Sequence, residues 1–202
     1  MNGHIPRARL LVQLRRGAQR RLTLIVAPTG YGKTALVEDW AALHDGSPVA
    51  RIEFRSAEGQ ERAVARLVEV VDAVSGHHDA VLALDGIDAV GSPALIDEIG
   101  AAVDHMPSDV HVMLTSRSRL PVESFVGRRG VVLVDERQLA FTRAEVGRLV
   151  HAVSSVALDR DHLDRLFAAT EGWPVAVQLA AIGMRHASDP GACVEEFLRG
   201  DR

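Results

Sequence analysis

The chain has 202 residues, 47% hydrophobic and 25% charged, which is the composition of an ordinary globular protein with a sizeable core. A formal net charge of −4 argues against a surface built to follow a nucleic-acid backbone, and therefore against direct DNA binding by this chain. The single cysteine, Cys193, excludes an internal disulfide and suits a reducing cytoplasm, and no apolar run approaches the roughly 18 residues of a membrane span.

The first 137 residues alternate between strand-like and helix-like patterns. An amino-terminal helix carries Leu10, Leu11 and Leu14 on its inner face, and five short apolar runs follow it. We predict strands at 22–27, 49–54, 80–87, 109–117 and 130–135, and helices at 33–43, 60–76 and 92–106. Because strands that are apolar on both faces need helices on both sides, the pattern predicts an α/β domain with a five-stranded parallel sheet covered by helices.

After residue 137 the strand patterns stop. Thr142 and Glu145 form the capping-box pattern at the start of a helix, and two more helical segments follow at 159–170 and 173–187. We therefore predict two domains, a nucleotide-binding α/β domain over 1–137 and a small C-terminal all-helical subdomain over 138–202.

The stretch that joins the first strand to its helix reads APTGYGKT, residues 27–34, and holds Lys33, the only lysine of the chain. A glycine-containing loop between a strand and a helix is typical of a phosphate-binding loop, as in P-loop NTPases. Lysine places a compact charge between the β- and γ-phosphates, where the broad guanidinium of arginine would not fit, and Thr34 offers a hydroxyl to Mg²⁺. The predicted nucleotide-binding residues of the loop are Pro28, Thr29, Gly30, Tyr31, Gly32, Lys33, Thr34 and Ala35.

The ends of the third and fourth strands supply the rest of the predicted site. Asp85 ends the third strand, where its carboxylate can hold Mg²⁺ together with Thr34. A second acid often follows to polarise the attacking water, but Gly86 stands there and Asp88 is the nearest substitute. Arg117 is the last residue of the predicted fourth strand, where it could sense a γ-phosphate. We therefore predict Asp85, Asp88 and Arg117 as the catalytic residues.

The motifs taken in order resemble a known family. They are IPRARLLVQLRRGAQRRLTLIVAPTGYGKTALVEDW, LALDGID, MLTSRSRLPV, LAFTRAEVGRLV, TEGWPVAVQLAA and FLRGDR. Together they are similar to the N-terminal ATPase segment of large ATP-dependent LuxR-type transcriptional regulators of the maltose-activator class, which are signal-transduction ATPases with numerous domains. Alanine at the first loop position, as in Ala27, is common in that family.

The resemblance implies further roles. Pro174, in the GWP sequence, would lie against the adenine, and the IPRARL segment that contains Arg7 would close the base pocket. Arg117 would be the γ-phosphate sensor. The family usually has paired acids at the third strand, and this chain departs from that pattern at Gly86. Mg·ATP would bind between the α/β domain and the helical subdomain, and the exchange of ATP for ADP would change their relative pose.

The resemblance also bears on partners. The winged-helix, sensor-repeat and DNA-binding regions expected of such regulators have no counterpart in this sequence, which is interpreted either as an excised ATPase region or as a short stand-alone relative. We expect an unknown inducer and protein partner to act through those missing C-terminal regions. Nucleotide-dependent self-association is compatible with the resemblance, and no membrane contact is expected.

Three functions remain open from the sequence. The first is an ATP-operated regulatory switch with slow hydrolysis. The second is a nucleotide-binding interaction module that does not hydrolyse ATP, which Gly86 favours. The third is a small-molecule P-loop kinase, which would need an acceptor pocket and an arginine-rich lid, and the segment after the fourth strand offers few arginines for a lid.

Overall fold

In the computed structural model the described residues form two compact units. They are residues 4–17, 22–43, 49–55, 59–74, 76–77, 80–90, 93–107, 110–118, 131–185, 187 and 189–200. The α/β unit comprises Ala8–Thr29 and Lys33–Glu136, and the helical unit comprises the stretch that ends at Arg7, Gly30–Gly32 and the chain from Arg137 onward. The units interleave along the sequence, and the division into domains 1–137 and 138–202 stays a prediction.

The α/β unit contains a five-stranded parallel sheet with helices, which confirms the predicted fold class. The strands are β1 (Leu22–Val26), β2 (Val49–Glu53), β3 (Val81–Asp85), β4 (His111–Ser116) and β5 (Val131–Asp135). The helices are α1 (Ala8–Gly17), α2 (Lys33–Ala42), α3 (Gln60–Val74) and α4 (Pro93–His105), with a short 3₁₀ turn at Ile87–Ala89. The strand order is β2-β3-β4-β1-β5.

This strand order positions the candidate site. Because β4 lies between β1 and β3, the carboxyl ends of these three strands are neighbours at one edge of the sheet. Every residue of β3 and β4 is buried, whereas β2 at the sheet margin is mostly exposed. The largely apolar central strands therefore build the core, and the polar residues at their carboxyl ends line the edge.

The helices of the α/β unit pack by their apolar faces. Leu10 and Leu14 of α1 are buried, as are Leu36 and Trp40 of α2. Leu43, the last residue of the helix predicted at 33–43, lies just past the end of α2 and is 40% exposed. The apolar face of α2 therefore ends one turn earlier than its spacing suggested.

The helical unit has its own apolar core. A short helix, α5 (Glu136–Leu139), precedes α6 (Arg143–Ser154), α7 (Arg160–Thr170), α8 (Pro174–Met184) and α9 (Pro190–Arg199). The core residues of the longer helices include Val146, Leu149, Val150, Leu166, Val177, Ala181 and Val194. None of the described helices is long and apolar enough to cross a membrane.

Local sequence explains where two of these helices begin. At α6 the predicted capping box is confirmed, because Glu145 donates its backbone N–H to the Thr142 hydroxyl at 3.3 Å and its carboxylate accepts from the Thr142 N–H at 2.7 Å. Helix α9 was not predicted from the sequence. Its signal is Asp189 before Pro190, because the Asp189 carboxylate accepts two backbone N–H groups of the first turn.

Candidate functional site

The two residues predicted to hold a metal are in direct contact. Thr34, in the first turn of α2, donates its hydroxyl proton to Oδ2 of Asp85 at 2.9 Å. Asp85 is the last residue of β3 and is 7% exposed. Its other oxygen, Oδ1, accepts from the hydroxyl of Thr115 on β4, and the Thr115 Oγ1 accepts in turn from the Gly86 N–H at 3.0 Å. Hydrogen bonds thus join α2, β3 and β4 at the sheet edge.

Asp85 also forms an ion pair that the sequence analysis did not predict. Arg51 on β2 places Nη2 2.7 Å from Asp85 Oδ2, and its Nη1 lies 3.1 Å from Oε1 of Glu38 on α2. The strand register pairs Arg51 with Ala83 and Glu53 with Asp85, so Arg51 reaches along the neighbouring strand. The available signal was the charged residues at alternate positions 51 and 53 of β2, since such residues share one face of a strand.

These partners set the charge state of Asp85. Burial on its own would raise the pKa of this carboxyl. Hydrogen bonds from Thr115, Thr34 and Arg51, together with the charge of Arg51, outweigh that effect and hold the pKa of Asp85 below its usual value. The carboxylate is therefore ionised at neutral pH and offers hard, anionic oxygens.

Lys33 begins α2, and its ammonium group folds back over the start of the phosphate-binding loop. Its Nζ donates to the carbonyl oxygens of Ala27 at 2.7 Å and Pro28 at 3.0 Å. Burial lowers the pKa of Lys33, and the nearby carboxylates of Asp88 and Asp85 oppose that shift only in part. The result is a partly dehydrated cation at the amino end of a helix, which is a favourable place to receive an anion.

In the helical unit the middle of the loop is shaped by Gly30. Its φ of +85° lies in the left-handed region, and a Cβ there would stand 2.6 Å from Cγ1 of Val175 and 2.9 Å from Nε1 of Trp173. The Val175 N–H, in the first turn of α8, donates to the Gly30 carbonyl at 3.2 Å. Only glycine meets both the backbone and the space requirements here.

Arg7 holds the same part of the loop from within the helical unit. Its side chain donates from Nη1 to the carbonyls of Tyr31 at 2.8 Å and Leu139 at 3.1 Å, and from Nη2 to the carbonyl of Gly32. The residue is 2% exposed, and its guanidinium carbon lies 5.7 Å from the ring centre of Phe141. Closure of the base pocket by Arg7 stays a prediction, and the geometry adds a role in supporting the loop backbone.

The remaining loop and base-pocket candidates occupy simpler positions. Pro28 and Thr29 are exposed, and Ala35 is half-buried in the first turn of α2. Pro174 is buried at the first position of α8, and its contact with adenine stays a prediction. Tyr31 and Trp173 place their ring centres 6.4 Å apart in the helical unit.

The other two predicted catalytic residues are paired with each other. Arg117 donates its backbone N–H to Asp88 Oδ1 at 2.9 Å and its Nε to Asp88 Oδ2 at 2.8 Å. Burial would raise the pKa of Asp88, but these two hydrogen bonds and the charge of Arg117 hold it below its usual value. A lowered pKa makes this carboxylate a poorer proton acceptor, so the arrangement suits holding Arg117 better than accepting a proton.

Gly86, at the place where a second acid was expected, has a backbone reason for being glycine. Its φ is +72°, which is in the left-handed region, and its N–H donates to the Thr115 hydroxyl. An acid at this position would have to adopt the same conformation, which costs about 1–2 kcal/mol for a residue with a Cβ. The departure from the paired-acid pattern is therefore built into the turn after β3.

Comparisons with known proteins agree with the sequence motifs. No protein-family model matches the chain. The HTH-type transcriptional regulator MalT of Yersinia enterocolitica is 28% identical, over 96% of this chain and 25% of that protein. The resemblance to the maltose-activator class is confirmed. MalT of Klebsiella pneumoniae is 24% identical, over 90% of this chain and 24% of its own length. The chain thus spans about a quarter of the length of these relatives.

Solved structures show the fold. A Walker-type ATPase of Pyrococcus abyssi superposes with a TM-score of 0.69 at 13% identity, covering 98% of this chain and 72% of that one. PCH-2 of Caenorhabditis elegans gives a TM-score of 0.62 at 15% identity, over 95% of this chain and 65% of its own. The chain therefore has the fold of P-loop ATPases.

Proposed function

We propose that this chain is the Mg·ATP-binding switch domain of a cytoplasmic LuxR-type transcriptional regulator, with slow hydrolysis coupled to signalling. The observation that carries the proposal is the 2.9 Å hydrogen bond between Thr34 and Asp85, which joins the phosphate-binding loop to the end of β3. Similarity to MalT over 96% of the chain supports a regulatory role. The fold shared with a Walker-type ATPase supports nucleotide binding.

Lys33 is the residue proposed to bind the nucleotide phosphates. Its ammonium group donates hydrogen bonds to the carbonyls of Ala27 and Pro28. Because the side chain has a flexible four-carbon stem, the ammonium group can turn from these carbonyls to a phosphate. The first N–H groups of α2 add donors and positive potential in the same place. Phosphate binding is thus proposed to exchange two carbonyl contacts for a stronger charge-assisted one.

The donor set at the sheet edge fits Mg²⁺. The Thr34 hydroxyl and the ionised Asp85 carboxylate are hard oxygen donors, which this ion prefers, and they already lie within hydrogen-bond distance of each other. When bound, Mg²⁺ would neutralise charge on the β- and γ-phosphates. Thr34 and Asp85 are the residues proposed to hold it.

Slow turnover is expected because no well-placed base is found among the residues that the structure describes. Asp88 has both carboxylate oxygens engaged by Arg117 and a lowered pKa, and Gly86 offers no side chain. The same pair favours a second candidate function, a nucleotide-holding interaction module that does not hydrolyse ATP. In that case Arg117, held by Asp88, would sense the γ-phosphate without any reaction.

Partners are proposed from the same reasoning. The chain spans about a quarter of the relatives it matches, so we propose that the inducer and protein partner engage other regions of such a regulator. A net charge of −4 supports the absence of direct DNA binding by this chain. Self-association, where it occurs, is proposed to depend on the nucleotide.

Calorimetric titration with ATP and ADP in the presence of Mg²⁺ tests nucleotide binding. We expect Lys33→Arg and Lys33→Ala both to weaken binding by about 10- to 100-fold, the usual value of a hydrogen bond to a charged group. Arg55→Ala is the matched control, because its side chain is 75% exposed and, among the described residues, forms an ion pair only with the exposed Glu53. Near-wild-type affinity in Lys33→Arg would contradict the proposed role of this lysine.

A phosphate-release assay separates the candidate functions. Slow release that does not depend on small-molecule acceptors supports the switch, no release despite binding supports the interaction module, and acceptor-dependent consumption of ATP would indicate a kinase. If Asp88 acts as the base, Asp88→Asn should cut turnover by roughly 100-fold while ATP affinity stays within a few-fold. If Asp88 only holds Arg117, turnover should fall far less.

A further inference from the structure

Arg51 and Thr34 of the phosphate-binding loop donate hydrogen bonds to the same carboxylate oxygen of Asp85. Oδ2 of Asp85 accepts from Arg51 Nη2 at 2.7 Å and from the Thr34 hydroxyl at 2.9 Å, and Oδ1 accepts from Thr115. Both oxygens of the proposed metal-binding carboxylate are therefore engaged. One of their partners is a full positive charge.

A second cation at this carboxylate would be opposed by the first. Like charges a few ångströms apart repel by an amount that falls with solvent exposure but remains appreciable near a partly buried site. The side chain of Asp85 is 10% exposed, so the repulsion between Arg51 and a metal ion held there is only partly screened. Arg51 and Mg²⁺ thus compete for one anionic group.

Glu38 gives Arg51 an alternative partner. Its Oε1 lies 3.1 Å from Arg51 Nη1, and its side chain is 63% exposed on α2. Arg51 itself is 36% exposed, so its guanidinium can shift toward Glu38 and solvent without leaving a buried charge unpaired. Asp85 would keep the hydroxyls of Thr34 and Thr115 in that arrangement.

We infer that Arg51 is a positioning residue that competes with Mg²⁺ for Asp85 and so sets how strongly nucleotide binding depends on the metal. The inference rests on the proposed function, because it assumes a nucleotide in the phosphate-binding loop. With Arg51 on Asp85 the carboxylate is neutralised without metal, and the hydrogen bond from Thr34 still joins the loop to β3. The site should therefore bind a metal-free nucleotide more tightly than it would if Asp85 had no arginine partner.

A purely structural role makes a different prediction. An ion pair that only fastens β2 to β3 would change the stability of the fold, and its removal would leave the response to Mg²⁺ as it was. The readout that distinguishes the two roles is the Mg²⁺ concentration that gives half of the metal's effect on nucleotide affinity. This quantity does not require hydrolysis.

The test is a titration of a fluorescent ADP analogue against the full chain over a series of Mg²⁺ concentrations. We expect Arg51→Gln to lower the half-effect Mg²⁺ concentration by about tenfold, the size of one partly screened charge interaction. Glu38→Gln should shift it the other way by about threefold, because Arg51 loses its alternative partner. Arg55→Gln, two residues beyond β2 with an exposed partner, is the control and should not move it.

The outcomes separate the inference from the proposed function. An unchanged Mg²⁺ response in Arg51→Gln, or a shift in the same direction in Arg51→Gln and Glu38→Gln, overturns the inference while wild-type ADP binding leaves the proposed function in place. Failure of the wild-type chain to bind the analogue at any Mg²⁺ concentration overturns both. Arg51→Lys gives a second reading if Arg51→Gln is unstable, since a retained charge with one point of contact should lower the half-effect concentration less than Arg51→Gln does.

Discussion

The helical unit and the α/β unit hold their parts of the phosphate-binding loop with different chemistry. In the helical unit, the Arg7 guanidinium and the Val175 N–H bind backbone carbonyls, and the space at Gly30 is filled. In the α/β unit, Asp85 accepts a hydrogen bond from Thr34 of the loop and is paired with Arg51, and Asp88 is paired with Arg117. Carbonyl and steric interactions do not titrate, whereas carboxylate pairs respond to pH and salt, so the contacts described here in the two units should respond differently to solution conditions.

The largest effect is expected at Gly30. Gly30→Ala should lower the free energy of unfolding by about 2–4 kcal/mol, because the new Cβ combines left-handed strain with overlap of Val175. The loss, measured by urea unfolding followed by circular dichroism, should be the same near neutral pH and at about pH 5. Gly59→Ala is the control, since no atom lies within 4 Å of a Cβ there. Equal unfolding midpoints for the two variants would contradict the role assigned to the filled space at Gly30.

A smaller loss is expected at Arg7. Arg7→Met fills much of the same volume but leaves the carbonyls of Tyr31, Gly32 and Leu139 without this donor. We expect a loss of about 2–3 kcal/mol that added salt hardly changes, because neutral carbonyls are the acceptors. Arg9→Met, at an exposed position of α1, should stay within about 0.5 kcal/mol of the wild type. A loss at Arg7 that disappears in high salt would show that charge, rather than carbonyl binding, is what Arg7 contributes.

The smallest effect on stability is expected for Asp88→Asn, and this effect depends on pH. Its pKa is lowered in the folded state, so its pairing stabilises the fold above the unfolded pKa of about 3.9 and this contribution is lost as pH falls through the folded value. Asp88→Asn should therefore cost under about 1 kcal/mol near neutral pH, because Arg117 is 52% exposed, and should flatten the fall of stability below about pH 4. Asp97→Asn, exposed on α4, is the control. An acid-side slope in Asp88→Asn as steep as that of the wild type would contradict the assignment.

The contrast between side-chain and backbone interactions also explains which features could be predicted from the sequence. The alternation of apolar runs with helical spacing predicted the five strands, because burial on both faces leaves a direct mark on composition. The pairing of Thr34 with Asp85 followed from the position of each at the edge of a parallel sheet. Residues whose side-chain chemistry fits a ligand can thus be proposed from the sequence alone.

Two sets of contacts, those of Arg51 and those of Arg7, were not predicted from the sequence, for physical reasons. Arg51 reaches Asp85 only because β2 lies next to β3, and the alternation of strands and helices does not state which strands are neighbours. The carbonyl acceptors of Arg7 belong to the backbone, which is the same in every sequence, so no residue type announces them. Gly86 could be read as a departure from a pattern, but its reason, a left-handed turn, needed the backbone angles.

The aromatic residues give the chain a built-in optical probe. It has two tryptophans and one tyrosine. Trp40 is 1% exposed in the α/β unit, whereas Trp173 is 41% exposed and its ring lies 6.4 Å from that of Tyr31. Trp40 should therefore emit at short wavelength and be shielded from iodide, while Trp173 should emit at longer wavelength and be quenched. The degree to which iodide quenches Trp173 then reports changes in the surroundings of Gly30. The unquenched emission of Trp40 serves as an internal standard in the same sample.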